Sequence, residues 1–135
     1  MIYRGSTPIH TFVLPFDLEN ITNIYITYQQ NGCNVLHKTM ADNFEDFSVD
    51  MDAREISVRL SQSDTLVFTC GRQYKNNLVQ IQVRVLFESG TVMTSDVIND
   101  RVVNTLSDVT MHDSNNRFTD TVLIYDGGGV AGYEG

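Results

Sequence analysis

Three histidines, two cysteines and a cluster of carboxylates are the side chains in this sequence best suited to chemistry. His10, His37 and His112 stand far apart along the chain. A nucleophilic site would need one of them to converge with Cys33, Cys70 or a serine. No Gly-x-Ser-x-Gly elbow or other nucleophile context is present, so each histidine reads as a surface residue on a strand or extension. The two cysteines fit no zinc spacing and read as free thiols, Cys33 exposed and Cys70 half-buried. Asp42, Glu45, Asp46, Asp50 and Asp52 crowd one stretch, as Ca²⁺-binding loops do, but the spacing misses the EF-hand pattern. A solvated acidic loop is expected instead. Gly127-Gly128-Gly129 has the composition of a phosphate cradle without the Lys or the following helix, and reads as a tether. Catalytic, metal and cofactor sites are all expected to be absent.

Two further groups of residues bear on binding. Tyr25, Tyr28 and Tyr74 could offer an aromatic platform to a sugar or nucleobase. However, Tyr25 and Tyr28 are an odd number apart and face opposite sides of a strand, which predicts one core and one surface residue. The chain also has no Trp, the usual sugar-stacking residue. The second group is Val122, Leu123, Ile124 and Tyr125, followed by Tyr133 in the glycine-rich tail. An exposed apolar β-segment of this kind is sticky. Two readings stay open: a last strand on the parent domain, or an arm that adds a strand to a neighbouring subunit. These five residues are the candidate partner contacts.

The elements that position these groups are strands. In Leu78-Val79-Gln80-Ile81-Gln82-Val83-Arg84-Val85-Leu86-Phe87, period two sends Val79, Ile81, Val83, Val85 and Phe87 one way and Gln80, Gln82 and Arg84 the other. Residues 8–15 form a strand bounded by prolines. The runs 24–29 and 35–40 flank Asn31-Gly32, a strong hairpin signal. A second hairpin joins 47–51 to 56–60, and a third turns at Glu88-Ser89-Gly90-Thr91, with Arg101-Val102-Val103 extending it past a kink at Asn99-Asp100. Ser61 and Asp64 predict one capped helical turn, with Leu66 and Phe68 plugging the core. About seven strands with regular turn signals predict an all-β fold, an immunoglobulin-like antiparallel β-sandwich, with a small β-barrel as the alternative. Residues 1–103 are expected to form the sandwich, and 104–135 a C-terminal arm and glycine tail.

The 135 residues suit a domain of ordinary size, and 41% hydrophobic residues suit a globular one. A net charge of −8 disfavours nucleic acid and anionic membrane as partners. No run approaches the ~20 apolar residues of a membrane span. No apolar h-region follows Met1, so synthesis in a cytosol without a secretory signal is expected.

The opening Ile2-Tyr3-Arg4-Gly5-Ser6-Thr7-Pro8-Ile9-His10-Thr11-Phe12 resembles the start of small β-rich proteins encoded in tailed phages and prophages of gut bacteria. Those begin with Tyr-Arg-Gly-Thr-Thr-Pro-Thr-His; this chain departs at Ser6 and Ile9. The resemblance runs through Ile26-Thr27-Tyr28-Gln29-Gln30-Asn31-Gly32, Leu60-Ser61-Gln62-Ser63-Asp64-Thr65-Leu66 and Val79-Gln80-Ile81-Gln82-Val83-Arg84, and covers about residues 1–100. It implies a non-enzymatic structural component of a tailed bacteriophage virion, on the head, neck, tail or baseplate, made in the host bacterial cytoplasm. Its partners would be other virion proteins, capsid or tail subunits, or further copies of itself. The alternative is a carbohydrate- or receptor-binding module of a tail tip. On the arm reading, removing 104–135 would leave a folded domain.

Overall fold

A computed structural model describes residues 1–69, 77–103 and 122–127. Cys70, Tyr74, His112 and Tyr133 lie outside these residues. The described residues form ten strands: β1 (Ile2–Tyr3), β2 (Ile9–Val13), β3 (Ile21–Gln30), β4 (Cys33–Thr39), β5 (Phe47–Asp50), β6 (Glu55–Arg59), β7 (Leu78–Phe87), β8 (Val92–Thr94), β9 (Ile98–Val103) and β10 (Val122–Asp126). Among the described residues, one short α-helix, α1 (Gln62–Leu66), follows β6, and a 3-10 turn at Phe44–Asp46 precedes β5.

The strands form two sheets, one ordered β1-β9-β7-β3-β4 with β8 also on β7, the other β10-β2-β6-β5. This is an all-β sandwich. β2, β6 and β5 fall in the order of the immunoglobulin B, E and D strands, and β9, β7, β3 and β4 in that of G, F, C and C′. Two pairings depart from the antiparallel expectation. β1 runs parallel to β9, and β10 runs parallel to β2. The reason is chain routing. The N-terminal strand joins the larger sheet, so the place beside β2 that the immunoglobulin plan gives its first strand is taken by the last one.

Alternation builds the core as the sequence predicts. Val79, Ile81, Val83 and Val85 of β7 are fully buried and meet Ile24, Ile26 and Tyr28 of β3, with Phe12, Ile56 and Val58 from the other sheet. Phe87 is half-buried against them. At the first hairpin, Asn31 (φ 54°) and Gly32 (φ 79°) are both left-handed, as a type I′ turn requires, and Gln30 pairs with Cys33 across it. The second and third hairpins also form.

The edge after β8 differs from expectation. β8 and β9 pair with different stretches of β7, and the chain breaks between them at Ser95–Val97, ahead of Asn99-Asp100. There the Ser95 hydroxyl accepts from the Val83 N–H (3.0 Å), standing in for the carbonyl that a continuous strand would supply.

The helical turn forms with the predicted capping box: Ser61 accepts from the Asp64 N–H, and the Asp64 carboxylate accepts from the Ser61 N–H. Phe68 is fully buried, as expected, but Leu66 is only half-buried. Thr65 is the wholly buried residue of the turn. Its hydroxyl donates to the Ser6 carbonyl and accepts from the Gly5 N–H. Arg4 caps the far end, donating to the carbonyls of Leu66 and Phe68. The Arg4-Gly5-Ser6 motif therefore clasps α1, which gives it a structural role.

Candidate functional site

Of the residues singled out in the sequence, Val122, Leu123, Ile124 and Tyr125 are the ones the structure gathers into one element. They form β10, an edge strand of the four-stranded sheet. Val122 pairs with Ile9, Ile124 with Thr11 and Tyr125 with Phe12. Residues 122–127 are thus part of the sandwich itself, and in this chain the last-strand reading holds for them. A domain boundary at 103/104 does not set them apart.

Strand alternation gives β10 two faces. Leu123 and Tyr125 point into the core, while Val122 and Ile124 face outward, 52% and 70% exposed. Tyr125 is the anchor. Its ring stacks on Phe12 (centroids 5.3 Å apart) and meets His10 edge-on at 5.3 Å. Its hydroxyl donates to Asp100 Oδ2 at 2.6 Å. Asp100 Oδ1 takes the N-terminal ammonium (2.9 Å) and the Arg101 N–H (2.7 Å).

Gly127 completes the seat. Its N–H donates to the Val13 carbonyl at 2.6 Å, and its own carbonyl accepts from the Asp96 N–H. A Cβ at this position would lie 2.8 Å from both the Val13 oxygen and Leu14 Cδ2. Only glycine fits there without a shift. The tether reading of the glycine run therefore does not hold at its first member, while Gly128 and Gly129 lie outside the described residues.

The surroundings of this socket tune its titratable groups. Burial raises the Tyr125 hydroxyl above its ordinary value, reinforced by the hydrogen bond to Asp100. Burial alone would raise Asp100. Hydrogen bonds from Tyr125, the N-terminus and the Arg101 N–H outweigh it and hold the carboxyl below the usual range.

His10 is the residue that sequence reasoning misplaced. It is not on the surface but fully buried. Nδ1 shares a 2.7 Å hydrogen bond with the Tyr28 hydroxyl, and Nε2 has no hydrogen-bond partner among the described residues. Burial pushes its pKa down to about 4, against the opposing field of Asp100. The signal was present: period two places residue 10 on the same face as Phe12 and Leu14.

The other candidates stand apart from the socket. His37 meets the Thr27 hydroxyl (3.1 Å) and the ring of Tyr25. Tyr25 is half-buried on the outer face and Tyr28 lies in the core, as their spacing predicts. The hydrogen-bond partners of the two described histidines are thus Tyr28 and Thr27, neither a cysteine nor a serine. Cys33 is exposed and free.

The acidic loop is largely solvated, as its composition predicts, with Asp42, Glu45, Asp50 and Asp52 exposed and Asp46 half-buried. Asp46 and Asp64 pair with buried Lys38 at 3.2 and 2.8 Å. Asp42 accepts from the Thr39 hydroxyl, and Asp50 from the Ala53 N–H. No group of three His, Cys, Asp or Glu among the described residues is placed to hold a metal ion.

A shallow cavity of about 290 Å³ opens on the outer face of the larger sheet, lined by Tyr25, Arg84, Val85, Leu86 and Val92. Among the described residues, no helix is long and apolar enough to cross a membrane. No protein-family model matches this chain, and no curated protein is similar to it.

Proposed function

We propose that this protein is a non-enzymatic structural component of a tailed bacteriophage particle, built to assemble through protein–protein contacts centred on β10. The observation that carries the reading is the two-sided character of β10. Its inner face is locked into the sandwich by Tyr125 and Gly127, while its outer face presents Val122 and Ile124 at what is, among the described residues, an edge of the sheet. Natural proteins guard such edges with charge or proline, and β10 has neither before Asp126. The resemblance of residues 1–100 to small proteins of tailed phages supports a particle as the setting. The identity of the polar side chains points the same way, since Lys38, Asp46, Asp64, Asp100 and Arg4 are all engaged in holding the fold.

The test is incorporation. Ile124→Asp leaves the inward face of β10 unchanged and places a charge on its outward face. The expected result is a folded variant that fails to enter gradient-purified particles while the wild-type chain enters. Equal incorporation of both overturns the role of β10.

The shallow cavity beside Tyr25 and Arg84 favours a second reading, a carbohydrate-binding module of a tail tip. There a ring could stack on Tyr25 while Arg84 donates hydrogen bonds. Glycan-array binding lost on Tyr25→Ala would support it, and an empty array would remove it.

A further inference from the structure

We infer that the outer face of the larger sheet carries an extended binding strip for a linear, uncharged oligosaccharide, running along the seam between β3 and β7. The inference deepens the carbohydrate-binding reading and rests on it for sugar as the ligand. It widens the contact from the hollow at Tyr25 and Arg84 to a row of side-chain amides.

Three observations carry it. First, strand register sets six hydrogen-bonding side chains in facing pairs. Tyr25 stands opposite Arg84, Thr27 opposite Gln82 and Gln29 opposite Gln80. Alternation turns these side chains outward, half-buried or exposed, while Ile26, Tyr28, Ile81 and Val83 between them are buried. Shallow hollows of about 290, 80 and 180 Å³ follow one another along the seam, and the second and third share Gln29 and Gln80. From Tyr25 to Gln29 the row covers ~14 Å at the rise of an antiparallel strand. That is longer than one sugar ring and suits a short chain of them.

Second, the strip is polar with little charge. Its side chains include no carboxylate and one cation, Arg84, although the whole chain carries −8. An anionic polymer would meet that single cation on an acidic protein, and a cationic one would meet no carboxylate. An amide both donates and accepts hydrogen bonds, and so does a sugar hydroxyl. Gln29, Gln80 and Gln82 therefore match a neutral polyol, with the Tyr25 ring as a stacking surface. Recognition led by amides also fits a chain without Trp. β3 and β7 lie inside the sheet, with neighbours on both sides, so their backbone groups are committed to ladders. Side chains are what this face offers, which disfavours an added peptide strand.

Third, neighbouring strands hold these side chains in place before a ligand arrives. The Gln29 amide donates to Asn34 Oδ1 at 2.7 Å, and the Gln82 amide donates to the Ser95 carbonyl at 2.9 Å. Each glutamine so fixed still has an acceptor oxygen to offer. The Thr27 hydroxyl meets His37 Nδ1 at 3.1 Å, and the rings of Tyr25 and His37 pack with centroids 5.6 Å apart. Groups ordered in advance lose less entropy on binding.

The test uses the full-length chain with neutral gluco-, galacto- and mannosaccharides from monomer to hexamer, and their sulfated and sialylated counterparts, on an array and then by calorimetry. The expected result is binding that strengthens with chain length, favours the neutral series and weakens roughly fivefold on Gln80→Ala. Gln80 is exposed, so this variant should keep the wild-type urea midpoint. Gln29→Ala, across the seam, should give a similar loss. Binding that is unchanged in both variants, equal for monomer and hexamer, or confined to the anionic series overturns the strip. If Tyr25→Ala still abolishes such binding, the carbohydrate reading stands without it. No binding to any member of the set removes that reading and the strip together. A dimer by light scattering that Gln80→Glu disrupts, with no sugar bound, assigns the face to a second copy instead.

Discussion

At the scale of single residues, the least expected feature is a neutral histidine in the core. His10 titrates near 4 in the fold because burial disfavours its charged form, against ~6.5 in an unfolded chain. Between those values the unfolded state holds the extra proton, so stability rises with pH. The charged and titratable groups around it are Tyr28 from β3, Tyr125 from β10, Asp100 from β9 and the N-terminal ammonium. Stability should therefore fall by on the order of 3 kcal/mol as pH drops from about 6.5 to 4. Asp100, held below the usual carboxylate range, adds a further loss of the same sign at lower pH. Urea melts across this range should show the slope in the wild type and a flatter profile in His10→Gln; parallel profiles would contradict the assignment. Tyr125→Phe removes a 2.6 Å hydrogen bond to a carboxylate. It should cost about 2 kcal/mol, measured in the same melts at neutral pH.

Residue-level legibility was uneven for a physical reason. Tyr25 and Tyr28 could be sorted by parity alone, since strand alternation fixes facing. His10 obeyed the same parity, but histidine's polarity argued for the surface, and only its partnership with Tyr28 shows why the core tolerates it. Lys38 was hidden similarly, because its partner Asp64 comes from a helical turn 26 residues away.

At the scale of elements, the hairpins and the capped turn were readable because each is set by local chemistry, such as Asn31-Gly32 in a type I′ turn or Ser61 with Asp64 in a capping box. The parallel pairings of β1 and β10 were not, since they depend on partners 100 or more residues away. Two consequences can be measured. Gly127→Ala puts a Cβ against the Val13 carbonyl and should loosen the end of β10, speeding hydrogen exchange at residues 123–126 while β3 and β7 stay protected. Unchanged exchange in β10 would mean that the latch is not needed. Lys38→Ala leaves the Asp64 and Asp46 carboxylates without their cation and should cost about 2 kcal/mol, read as a lower urea midpoint. Deleting 104–135 is no longer expected to spare the domain. It takes away Tyr125 and uncovers His10 and Phe12, so the truncated chain should unfold at lower denaturant than the full one.

At the scale of the whole molecule, the sandwich is closed by β10, whose outer face exposes Val122 and Ile124. The all-β architecture followed from periodicity, and the placement of the closing strand came only with the fold. The particle setting rests on resemblance and on the edge that β10 presents, and it makes a quantitative demand. A structural subunit must be present in fixed proportion to its neighbours, whereas a host-directed binding protein or transient assembly factor need not be. If the proposal is right, a phage carries the gene, and the most direct measurement is quantitative mass spectrometry of gradient-purified particles produced by cells that carry it, scaled to the major capsid protein. The expected result is a constant ratio across preparations, its value separating a capsid-wide role from a ring at the neck or tail. Absence of the chain from purified particles would contradict the assignment.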